Sequence, residues 1–157
     1  MSAPQIPPAI IAAARAAEAK WRVPASVSLA QWALESGWGA HAPGNNPFGI
    51  KAEAGRPSQT FATHEEVAGR LVPQNLAFAV FASVSEAFDA HARLLATAPI
   101  YASAFAALPD VARFIALMAR HYATDSHYAD KIAAVIRCAG LAAYDAPPAS
   151  YHGSPVT

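Results

Sequence analysis

Runs of apolar residues broken by proline and glycine divide this chain into helices around one extended stretch. Pro7 and Pro8 open a first helix that reaches about Trp21, with Pro8 suited to the first turn. Val23-Pro24 interrupts it. A second helix is predicted over about Ala25 to Glu35, where Val27, Ala30 and Leu34 share a face. Ser36-Gly37 ends it, because glycine takes the left-handed cap conformation without strain. Trp38 to Lys51 is rich in Gly, Pro and Asn and reads as a loop. Thr60 to Val67, a turn near Ala68-Gly69-Arg70, and Leu71 to Phe81 read as a β-hairpin, with Pro73 requiring an exposed edge or a bulge. Ser83-Val84-Ser85-Glu86 matches a capping box and starts a third helix, carrying Phe88, Leu94 and Leu95, that ends before Pro99. A short segment spans Tyr101 to Ala107. A fourth helix opens at Pro109-Asp110 and runs through Arg120. Thr124-Asp125 caps a fifth, from about Ser126 to Ala139, stopped by Gly140. The fold class expected is α+β and predominantly helical, with a small hairpin lobe flanking a cleft where a ligand would bind.

Composition narrows the partners. The 157 residues suit one domain with a core, and 54% are hydrophobic against 14% charged. Eleven basic residues balance 11 acidic ones, so the clustered Lys and Arg that nucleic acid requires are not expected, and attraction to an anionic wall would be weak. Domain boundaries of 1–144 for the folded unit and 145–157 for a tail follow from Pro147, Pro148, Gly153 and Pro155. The single cysteine, Cys138, permits no disulfide within the chain and reads as a buried structural thiol. The N-terminal stretch lacks a basic region and is interrupted by Arg15, so neither signal peptide nor membrane insertion is expected. The histidines show no metal-ligand spacing, and neither a Ser-His-Asp motif nor a phosphate loop is present. No metal or cofactor is expected.

Glu35 is the sharpest chemical signal. It falls at the C-terminal end of an apolar helix, where the helix dipole disfavours negative charge. Trp32 and Trp38 are near enough in sequence to screen it from water. Both features favour the proton that a general acid must carry.

Its neighbourhood carries a resemblance. Leu29-Ala30-Gln31-Trp32-Ala33-Leu34-Glu35-Ser36-Gly37-Trp38-Gly39 resembles the catalytic segment of glycoside hydrolase family 73, which contains bacterial endo-β-N-acetylglucosaminidases. Asn45-Asn46-Pro47-Phe48-Gly49-Ile50-Lys51 is similar to the family's next motif, with Pro47 where leucine is common. Tyr122-Ala123-Thr124-Asp125-Ser126-His127-Tyr128-Ala129-Asp130-Lys131-Ile132 resembles a third, with Ser126 where proline is frequent. The three occur in the family's order and extend over about Val23 to Gly140.

The resemblance implies a lysozyme-like fold and cleavage of the β-1,4 bond after N-acetylglucosamine in peptidoglycan glycan strands. It implies that Glu35 is the general acid. It places the second carboxylate in Thr63-His64-Glu65, four residues before Gly69, with Glu66 as fallback; neighbouring strand residues face opposite sides, so one of the two can enter the cleft. Tyr122 matches the active-site tyrosine. Trp38, Asn45 and Phe48 are candidate sugar contacts, with Tyr101 and Tyr128 as further groove residues; Asp125 reads as a helix cap. Muramidase or lytic transglycosylase action on the same fold is the alternative, and an inactive glycan-binding or assembly module the second. A monomer acting in the periplasm or cell wall is expected. Delivery would be by phage lysis, by a secretion machine, or as a domain of a larger exported protein.

Overall fold

A computed structural model describes residues 2–147. Six α-helices and one two-stranded antiparallel sheet follow in order: α1 Pro8–Trp21, α2 Ala25–Ser36, β1 Ser58–Val67, β2 Arg70–Ala79, α3 Val84–Thr97, α4 Ala102–Ala106, α5 Val111–Tyr122 and α6 Tyr128–Ala139. The α+β class expected from sequence is the class observed.

Helix α2 is the axis of the helical lobe. Every residue from Ala25 to Ala33 is buried, as expected for a short helix with small or apolar side chains all round. It lies against α1, α6 and the single turn Leu141–Tyr144. The polar residues this burial traps find distant partners. Ser26 gives its backbone N–H and its hydroxyl to the two carboxylate oxygens of Asp145, at 2.7 and 2.8 Å. Asp145 thus caps the α2 N-terminus, where free N–H groups and the dipole favour an anion. The N–H of Ala146 donates to Glu18 Oε1 at 2.8 Å. Two residues that the sequence assigned to the tail are therefore bonded to the helical body. From residue 148 onward the tail lies outside the described residues.

Local chemistry sets the other boundaries. The Ser83 hydroxyl accepts from Glu86 N–H, and the Glu86 carboxylate reaches back to Ala82 N–H, one residue earlier than a standard capping box. Asp110 caps α5 through Arg113 N–H, and α5 continues to Tyr122. Helix α6 starts at Tyr128 rather than Ser126. Asp125 spends its carboxylate on a turn, accepting from His127 N–H at 2.8 Å, which delays the helix. Cys138 is exposed, correcting the expectation of a buried thiol; the apolar face of α6 leads through Tyr128 and Ile132, and Cys138 falls outside it.

The hairpin pairs from Ser58↔Ala79 to Val67↔Arg70 without a bulge, and Pro73 is tolerated because a two-stranded sheet is all edge. Its base is tied to the body by Phe81 N–H to Gly44 O and Ala79 N–H to Ile50 O, at 2.8 and 2.9 Å. Its far end projects outward, with Leu71 74% exposed. No helix is long and apolar enough to cross a membrane among the described residues.

Candidate active site

The end of α2 emerges at the surface, and the residues after Glu35 are built to make it stop there. Gly37 takes φ 57° as the helix cap. The Ser36 hydroxyl donates to Trp32 O and accepts from Gly39 N–H. Gly39 packs so closely on the Trp32 indole that a Cβ there would lie 2.9 Å from the ring. The Ser-Gly-Trp-Gly string is thus a helix terminator, and it leaves Glu35 exposed at the last turn. The screening expected from the tryptophans is not found. Trp32 is buried and meets Trp38 edge-on at 5.9 Å. Trp38 lines a shallow pocket with Val135 and Cys138 of α6.

Two tyrosines of the third motif, Tyr122 and Tyr128, lie on the Glu35 side of the fold. Tyr128, the first residue of α6 and 6% exposed, donates its hydroxyl proton to Glu35 Oε1 at 3.1 Å. Its oxygen accepts in turn from Gln31 Nε2 at 3.3 Å. Gln31 precedes Glu35 by four residues on α2, so one face of one helix supplies both ends of this relay. Tyr122, the last residue of α5, stacks on Tyr128 with ring centroids 5.5 Å apart and planes 12° from parallel. Burial pushes both phenols above their ordinary range, with the charge of Glu35 adding to the effect. Both remain neutral hydrogen-bond donors over physiological pH.

Behind Tyr122 stands a residue that the sequence reading did not single out. His91, on α3 and 2% exposed, places Nε2 3.2 Å from the Tyr122 hydroxyl oxygen. Its ring lies flat against Phe48 at 4.0 Å, and Phe48 meets Phe88 edge-on. Burial lowers the His91 pKa to about 3, so the imidazole is uncharged. The available signal was spacing: His91 lies three residues after Phe88 and four before Leu95, on the apolar face of α3.

The candidate sugar contacts fare differently. Phe48 is 6% exposed and serves as a wall for His91, not as an open platform for a sugar ring. Tyr101 is buried as well, donating to His121 O at 3.4 Å. Asn45 is exposed, and its amide is engaged with Phe81 O at 2.9 Å, pinning the loop to the hairpin base. Asn46, buried beside it, bonds Ile50 and Ala79.

On the hairpin, cross-strand register separates the two acids. Glu65 pairs with Val72 and shares its face with Gln59, Phe61 and Thr63; Glu66 pairs with Leu71 on the other. Phe61 and Phe78 meet on the Glu65 face, and Gln59 approaches Gly44. The Glu65 face therefore turns toward the loop that follows α2, and the Glu66 face turns away.

A cavity of about 960 Å³ lies between α1, α3 and the hairpin base, and neither Glu35 nor the tyrosines line it. No group of three potential metal ligands occurs among the described residues.

A family model described as mannosyl-glycoprotein endo-β-N-acetylglucosaminidase matches residues 11–141. The chain belongs to the glucosaminidase family, glycoside hydrolase family 73. It is 35% identical to the peptidoglycan hydrolase FlgJ of Salmonella typhimurium over 133 residues, 79% of this chain and 42% of FlgJ. It is 33% identical over 132 residues to a probable N-acetylmuramidase of Lactococcus lactis, covering 76% of this chain and 30% of that protein. The chain thus spans less than half the length of these relatives. The catalytic domain of the autolysin Auto from Listeria monocytogenes superposes with a TM-score of 0.78 at 29% identity, over 92% of this chain and 90% of that domain. The lysozyme-like fold expected from the motifs is the fold these relatives share.

Proposed function

We propose that this protein hydrolyses the β-1,4 bond after N-acetylglucosamine in peptidoglycan, with Glu35 as the general acid. The observation that carries the reading is the Glu35 carboxyl, exposed at the end of a buried helix and held by the neutral Tyr128 hydroxyl at 3.1 Å. With Oε1 occupied as an acceptor, Oε2 is the oxygen left to carry a proton to the glycosidic oxygen. Cleavage passes through an oxocarbenium-like state. Tyr122, uncharged and beside the acid, is suited to orient the substrate's acetamido group or to meet charge developing at the anomeric carbon. Glu65 is the second carboxylate. A wide separation of the two acids corresponds to inversion through water, a short one to retention, and the substrate's own acetamido oxygen can replace Glu65 as nucleophile. The site acts on the cell wall or in the periplasm, as a monomer, reached by phage lysis, a secretion machine or export within a larger protein.

Similarity to a probable N-acetylmuramidase of Lactococcus lactis supports muramidase cleavage as the second reading. Mass spectrometry of peptidoglycan digested by the protein separates the two. Fragments ending in reducing N-acetylglucosamine are expected. Reducing N-acetylmuramic acid or anhydro ends would reassign the bond.

A further inference from the structure

We propose that His91 is a positioning residue that donates its Nε2–H to the Tyr122 hydroxyl, leaving that hydroxyl's own proton free to be given to the glycan. The inference rests on the hydrolase reading above and goes beyond the roles assigned there.

Three observations carry it. The first is contact: Nε2 lies 3.2 Å from the Tyr122 oxygen, and no other hydrogen-bond partner of that hydroxyl occurs among the described residues. The second is rigidity. Phe48 covers one face of the imidazole at 4.0 Å, and Phe48 is itself braced edge-on by Phe88 at 4.9 Å. The third is the other ring nitrogen. Nδ1 is fully buried with no protein partner among the described residues.

An uncharged imidazole has one N–H donor and one acceptor nitrogen. If the proton were on Nδ1, a buried N–H would be stranded, and such orphans are rare. If it is on Nε2, the stranded atom is only an acceptor, and the bond to Tyr122 is still made. Tyr122 must then accept from His91. Its phenol remains protonated, because burial pushes its pKa well above the ordinary value. The remaining O–H is directed away from His91. Tyr122 stacks on Tyr128, which bonds Glu35, and its phenol feels the Glu35 charge. A glycan group with acceptor oxygens, such as an acetamido carbonyl, matches a fixed donor there.

The tautomer can be read on the native protein. A long-range ¹H–¹⁵N spectrum of histidine-labelled chain at pH 7 is expected to show His91 protonated at Nε2; a proton at Nδ1 overturns the assignment. Kinetics give a second arm. His91→Phe keeps a ring against Phe48 and removes the donor, and is expected to lower kcat about tenfold, the scale of one lost hydrogen bond, with KM little changed. His91→Gln, whose amide N–H reaches the same place, is expected to recover most of the loss. Combined with Tyr122→Phe, His91→Phe should cost nothing further, because His91 acts only through that hydroxyl. Wild-type kcat in His91→Phe, or additive losses in the double variant, would overturn the proposal. Should the wild-type protein release no sugar ends from peptidoglycan, the hydrolase reading fails instead. The tautomer measurement then still decides the hydrogen-bond polarity.

Discussion

Glu35 and Tyr128 lie 93 residues apart in sequence and meet at 3.1 Å. Their bond depends on Gln31, whose amide occupies the Tyr128 oxygen and so directs the phenolic proton outward. The Gln31 Oε1 is buried without a protein partner among the described residues, a desolvation cost of about 1–3 kcal/mol. A helix built only for stability would carry an apolar residue there. His91 has a cost of a different kind. In the unfolded chain it takes up a proton near pH 6.5, and in the folded protein only near pH 3. Between those values the unfolded state binds more protons, so stability falls as the pH falls through that window. Above it the contribution is complete, and below about pH 3 it is lost. Acidification from pH 7 to pH 5 is expected to remove about 2 kcal/mol through this residue. Urea unfolding of wild type and His91→Phe at the two pH values checks it. The wild type should lose more stability than the variant, and equal losses would contradict the burial of a neutral imidazole.

Two elements carry separate expectations. Helix α2 is held at its start by Asp145, whose carboxyl is pushed up by burial and pulled down by its two bonds from Ser26. Asp145→Ala removes a helix cap and is expected to destabilise the protein by about 1–2 kcal/mol. For a chain of this size that is a Tm decrease of roughly 2–8 °C by calorimetry; an unchanged Tm would show the cap to be idle. The hairpin allows a paired comparison. Glu65 lies on the face turned to the α2 loop and Glu66 on the opposite face. Glu65→Gln is expected to lower the rate of wall hydrolysis by about 10- to 100-fold, with Glu66→Gln near wild type. The reverse ranking would move the second carboxylate to Glu66.

At the scale of the whole molecule, the helices and the hairpin were legible in the sequence because their punctuation is local. Proline at helix starts, Gly37 and Gly140 at ends, and the Ser83 and Asp110 caps each act within a few residues. The position of Glu35 at a helix end was legible for the same reason, since the terminator that exposes it follows directly. What surrounds the acid was not, because α2, α3, α5 and α6 converge on it from distant parts of the chain. Phe48 and Tyr101 look like sugar platforms by residue type, yet both are packed inside. Gln31 and His91 look like minor polar residues on helix faces, yet they hold the two tyrosines. Asp145 reads as tail, since only the folded chain brings it to Ser26. Gln31 and Tyr128 lead to one exposed carboxyl, Glu35, and its role is the central claim. Glu35→Gln preserves shape and removes the acid, so the most direct measurement compares its clearance of purified peptidoglycan with that of wild type. Thermal unfolding of both proteins is recorded alongside. Clearance is expected to fall by about 10²- to 10⁴-fold, while stability stays within about 0.5 kcal/mol, as for an exposed position. Equal clearance by wild type and Glu35→Gln would contradict the assignment of Glu35 as the catalytic acid.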